Sequence, residues 1–208
     1  MNLFVAILVG EILRYNLYWG SIRIGQARLQ LDTVSDTILR SSLVIKTEGV
    51  FDKIYPVNDS MVSYFHSKSY RTIRFERYID EAGYRSTTVA FYRGDTVFYH
   101  DGSKVYIAFE VMDPLSVLYF LRSKPSLDTL YILNFHVSKA TQKVPVKIDF
   151  VNERNEKFFR VYIDLRDPKK TKVPAESIYF LKADSSKTPV RMEFKSKYGT
   201  IVGKLKLD

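Results

Sequence analysis

His66, His100 and His136 are the side chains of this chain best suited to acid–base or metal chemistry, and their spacing supports neither. A metal site on one strand or helix wants ligands two or four residues apart, and no His-x-His or His-x-x-x-His pair is present. With no cysteine among the 208 residues there is no disulfide framework, thiolate metal site or cysteine nucleophile. Carboxylates cluster only where the chain turns, at Asp80-Glu81 and at Glu153 with Glu156. Nucleophile elbows, Walker loops and dinucleotide fingerprints are absent, and Gly94-Asp95 and Asp101-Gly102 read as turn chemistry. Phe158, Arg160 and Tyr162 would share one side of a strand, the pattern of a base-stacking platform, but no RNP-type motif accompanies them. The residues therefore point to a protein without catalytic machinery, cofactor or metal, and away from nucleic acid.

The elements that would position any site are strands. Apolar residues recur with period two, the mark of a half-buried pleat. Leu13, Tyr15, Leu17 and Trp19 alternate with Ile12, Arg14, Asn16 and Tyr18, and Ala27, Leu29 and Leu31 with Arg28 and Gln30. Leu39, Leu43 and Ile45 share a further face, while residues 49–70 look irregular, with turns at Pro56 and Asn58-Asp59. A meander follows, through Ile73, Phe75 and Ile79, then Val89 and Phe91, then Val97 and Tyr99 into a tight turn at Asp101-Gly102. Strands resume around Val144–Phe150, Phe159–Ile163, Ile178–Lys182, Val190–Phe194 and Ile201–Leu207. Ten or more antiparallel strands exceed what an open twisted sheet usually holds without curling.

One segment breaks the pattern. Asp113 is a good helix N-cap, Pro114 suits the first helical position, Lys124 suits the negative end of the dipole, and Pro125 stops propagation. Between them Leu115, Val117, Leu118, Tyr119, Phe120 and Leu121 surround the axis, so a helix over about 113–124 must be buried on several sides. The expected fold is mainly β: a single large curved antiparallel sheet or half-open barrel with this helix against its concave face, residues 11–208 forming one domain.

The net charge of +9 is uneven. Residues 1–138 hold 15 basic and 14 acidic side chains, residues 139–208 hold 17 and 9. A Lys-rich solvated face is the plain reading, and an anionic membrane surface or another polyanion the sharper one. At the start, Leu3–Val9 is too short to span a bilayer. It reaches the low end of a signal-peptide core, with Gly10 as the small residue before a cut, although no basic residue precedes it. Residues 1–10 are thus a signal peptide or a first buried strand.

Three stretches together resemble a known family. They are Glu11 to Ala27, with Tyr15, Trp19-Gly20 and Gly25; the helix start Asp113-Pro114-Leu115-Ser116 with Leu118-Tyr119-Phe120-Leu121-Arg122; and Ile178 to Asp184 with Pro189-Val190-Arg191 and Gly199-Thr200-Ile201. In this order they resemble the bacterial exported proteins of the domain-of-unknown-function family numbered 3108. The resemblance implies a mainly β protein of the periplasm with no assigned activity, similar in architecture to periplasmic lipoprotein carriers. The expectation is a non-enzymatic envelope protein holding a lipid or other hydrophobic ligand, with Leu115, Leu118, Phe120, Leu121 and Trp19 at the ligand. Lys169, Lys170 and Lys172 would meet anionic headgroups at a membrane surface. The alternative is an envelope scaffold that binds another protein through a sheet face or edge strand.

Overall fold

Alternation of inward apolar and outward polar residues sends almost the whole chain into strands. The computed structural model describes residues 10–124, 129–137, 139–164, 176–196 and 199–206. The first half runs β1 (Ile12–Trp19), β2 (Ile22–Ser35), β3 (Ile38–Thr47), a one-turn helix α1 (Val50–Ile54), β4 (Asn58–His66), β5 (Thr72–Glu81), β6 (Tyr84–Arg93), β7 (Thr96–Tyr99) and β8 (Lys104–Tyr106). Helix α2 (Pro114–Ser123) follows. The second half is β9 (Leu130–Val137), β10 (Ala140–Glu153), β11 (Glu156–Asp164), β12 (Glu176–Lys182), β13 (Pro189–Ser196) and β14 (Gly199–Leu205).

All fourteen strands belong to one antiparallel sheet in the order β8-β7-β6-β5-β4-β3-β2-β1-β14-β13-β12-β11-β10-β9. Every neighbour is also a neighbour in sequence except at the centre, where β1 pairs β14 with Tyr15 opposite Leu205. The two ends of the chain therefore meet in the middle of the sheet, and the two terminal strands, β8 and β9, flank the connection that carries α2. The sheet curls around that helix without closing. Its seam is spanned by the segment ahead of α2. Met112 N donates to Asn134 O (2.8 Å) and His136 N to Met112 O (3.0 Å), while Thr72 N donates to Val111 O (3.1 Å).

The expected irregularity of residues 49–70 is corrected by β4, a full strand. Two of its inward residues are polar, which hides the alternation. Asp59 accepts the backbone N–H of Asp80 at 2.9 Å, and Ser63 donates to Asp113 at 2.5 Å. Strand β6 also differs from the expectation built on Val89 and Phe91. Ala90 is the buried residue, so the inward set is Tyr84, Ser86, Thr88, Ala90 and Tyr92, and Phe91 faces outward beneath the Arg74 guanidinium, 5.0 Å away.

Helix α2 is buried on all sides, as its composition demands. Leu115, Val117, Leu118 and Leu121 join the main core with Tyr15, Leu29, Leu43, Val146, Val161 and Leu181. On its other flank Tyr119 stacks on Phe65 (5.9 Å) in a second cluster with Leu31, Leu39 and Tyr70. Polar contacts lock both ends. Asp113 accepts from Leu115 N and Ser116 N as N-cap and from the hydroxyls of Ser63 and Thr72, and the Ser116 side chain accepts the Asp113 N–H to complete a capping box. At the far end Arg122, 2 % exposed, makes a two-pronged pair with Glu11 (2.6 and 2.8 Å). That pair ties the helix to the lead-in of β1.

Candidate functional site

The helix fills only part of the concavity. A cavity of about 540 Å³ remains between its first turns and the inner faces of the strands. Pro114, Leu115 and Leu118 form the helix side of the wall. Leu29, Leu43, Met61 and Phe75 form the β2–β5 side, and Tyr179, Met192 and Phe194 the β12–β13 side. The remaining wall is more polar, with Arg77 on β5, Ser86 and Thr88 on β6, Tyr99 on β7 and His136 on β9. The cavity reaches the β5–β6 hairpin, where the lining residue Tyr84 is 62 % exposed. An apolar pocket of this volume with a few convergent polar groups matches the usual form of a small-molecule site, roughly 300–1,000 Å³.

The strand registers explain the lining. Inward residues of adjacent strands stack in layers, and one layer carries Leu29, Leu43, Met61, Arg77 and Thr88 side by side. Arg77 thus stands on an apolar wall, between Phe75 and Ile79 on its own strand. Its Nε is buried without a hydrogen-bond partner.

A polar chain runs along one side. The Tyr99 hydroxyl contacts His136 Nε2, and His136 Nδ1 lies 2.6 Å from Thr141 Oγ1. Burial lowers the His136 pKa to about 4 and raises that of Tyr99 to about 12. The ring is therefore neutral near pH 7, and a neutral imidazole accepts at one nitrogen and donates at the other. With the proton on Nδ1, Tyr99 donates to Nε2 and Nδ1 donates to Thr141. His136 is thereby committed to linking β7 with β9 and β10 across the seam. Lys139 and Asp101 add an exposed ion pair between the same parts, and it holds the Asp101 carboxyl below the usual range. Among the described residues no group of three or more His, Asp or Glu side chains could hold a metal ion, and no helix is long and apolar enough to cross a membrane.

Of the residues expected at the ligand, Leu115 and Leu118 line the cavity and the others stand elsewhere. Leu121, about one turn further along the helix, sits fully buried in the core. Phe120 points to the opposite flank, packed edge-on against Tyr70 and Tyr131 at 6.0 Å with Lys124 over its face. Trp19, 50 % exposed, lies at the end of β1 against Phe51. Lys169, Lys170 and Lys172 lie outside the described residues, as do residues 1–9. The polar half of the wall was not visible in the sequence. Ser86 and Thr88 alternate with Arg85 and Thr87, so β6 shows no apolar face, and a polar-on-both-faces strand inside a β-rich chain was the one available signal.

The fold has a solved relative in shape. The crystal structure of a beta-barrel-like protein of domain of unknown function DUF1849 from Brucella abortus superposes with a TM-score of 0.70 over 96 % of each chain at 11 % identity. No curated protein matches the chain. The family model described as "Protein of unknown function (DUF3108)" matches residues 14–206, from β1 through β14, and the chain belongs to that family.

Proposed function

We propose that this protein is a non-enzymatic bacterial envelope protein that holds an acyl chain or similar apolar ligand between the concave face of its sheet and the first two turns of α2. The observation that carries the reading is the cavity of about 540 Å³ left beside a helix that is otherwise mostly buried. Sheet curvature and helix length could have been matched to fill that volume with side chains, as the rear half of α2 does around Leu121. Placement in the periplasm rests on the Leu3–Val9 run ahead of Gly10 and on the resemblance of the sequence to exported bacterial proteins.

Native mass spectrometry of the protein purified from envelope extracts, followed by organic extraction, tests both parts. The expected result is a co-purifying lipid mass that disappears in Leu118→Glu, together with a mature N-terminus near residue 11. A clean apo mass that takes up no added lipid would move the assignment to the second reading, a protein-binding scaffold. The specific support for that reading is the terminal strand β9, whose outward residues Leu130 and Ile132 are exposed apolar side chains.

A further inference from the structure

Arg77, on the concave face, stands apart from other arginines that are at least partly buried. Arg40 pairs with Asp32, Arg74 with Glu76, Arg122 with Glu11, and Arg191 with Glu153 and Glu193. The Arg77 Nε is buried and has no hydrogen-bond partner. Glu81 feels its charge but is engaged with Asp59, which also accepts the Asp80 N–H. A guanidinium on a mostly apolar wall is costly unless an anion completes it. The strand pattern Phe75, Arg77, Ile79 places it where packing alone would take a β-branched or aliphatic side chain.

We propose that Arg77 receives the oxyanion of a single-chain acidic amphiphile whose hydrocarbon tail runs toward Leu115 and Leu118 in the cavity. This rests on the cavity being a ligand site. The lining divides to match. Met61, Phe75, Leu115 and Leu118 offer apolar surface to a chain, while Arg77, with Ser86 and Thr88 on the adjoining strand, offers donors to a carboxylate or phosphate nearer the exposed Tyr84. An arginine supports two parallel hydrogen bonds to either oxyanion, so fatty acids and lysophospholipids share the required chemistry.

The test is equilibrium binding of dodecanoate, dodecanol and lysophosphatidylglycerol to the delipidated full chain by isothermal titration, at a pH where the acids are ionised. The expected result is dodecanoate binding at least about tenfold tighter than dodecanol, equivalent to about 1.4 kcal/mol. Arg77→Met should erase that preference by weakening dodecanoate binding, with Arg77→Lys intermediate. Tighter binding of lysophosphatidylglycerol than of dodecanoate would identify a phospholipid as the source of the oxyanion, and the reverse order a free fatty acid. Equal affinity of the wild type for dodecanoate and dodecanol overturns the role of Arg77 while the cavity reading stands, and this comparison needs no variant. Binding of none of the three overturns both.

Discussion

His136 shows how one buried side chain can set the acid limit of the molecule. It is 1 % exposed, neutral and hydrogen-bonded on both nitrogens. Its folded pKa of about 4 lies below the ordinary histidine value of 6.5, so the unfolded chain binds the extra proton first as pH falls. Its contribution to stability is therefore whole above about pH 6.5 and is lost progressively toward pH 4. Urea unfolding at pH 7 and pH 4.5 should show a drop of about 2 kcal/mol from this group. In His136→Gln the slope between the two pH values should flatten, and an unchanged slope would place the acid sensitivity elsewhere. Tyr99→Phe at constant pH should cost about 1–3 kcal/mol, because it leaves a buried nitrogen without its hydrogen-bond partner.

At the scale of the element, α2 is specified twice, by its cap and by its rear anchor. Removing the Asp113 carboxylate strands two backbone N–H groups and the hydroxyls of Ser63 and Thr72. Asp113→Ala should cost about 2–4 kcal/mol in chemical denaturation. Burial pushes the Asp113 carboxyl up, while those same donors pull it down. Arg122→Met should cost about 3–5 kcal/mol because Glu11 is left buried and unpaired, and Arg122→Met with Glu11→Leu should recover much of the loss. A double variant no more stable than the single one would mean that the pair also fixes the approach of β1 to the helix. The helix was legible from sequence to within a residue, since Asp113, Pro114 and an apolar perimeter are local signals. Which of its faces borders a cavity was not. Leu118 and Leu121 are the same residue type one turn apart, and only the depth of the sheet behind each separates lining from core.

For the whole molecule, the pairing of β1 with β14 is the long-range decision. It joins residues nearly the full chain apart and is the strand pairing that connects the two halves of the sheet. Such non-local pairing makes folding slow, because loop closure precedes the contacts that reward it. A chain ending at residue 198 would expose the facing edges of β1 and β13, with Tyr15, Leu17 and Met192 on their inner faces. That truncation should abolish the folded state and give aggregated material by size-exclusion chromatography. A soluble monomer with native circular dichroism would show that the two halves fold as separate units.

By itself the sequence determined the class of the protein. Period-two alternation requires strands, their number requires a curled sheet, and an all-round apolar segment between Asp113 and Lys124 requires a buried helix inside it. These follow from local stereochemistry and from the cost of exposing apolar surface. The tertiary structure decided what curvature and register control: that β4 is a strand despite Asp59 and Ser63, that β6 turns Ser86 and Thr88 inward, and that Arg77 lines a cavity with its Nε unpaired. A polar residue reads as solvent-facing in one dimension because its neighbours across the sheet, and the empty space before it, exist only once the strands are side by side.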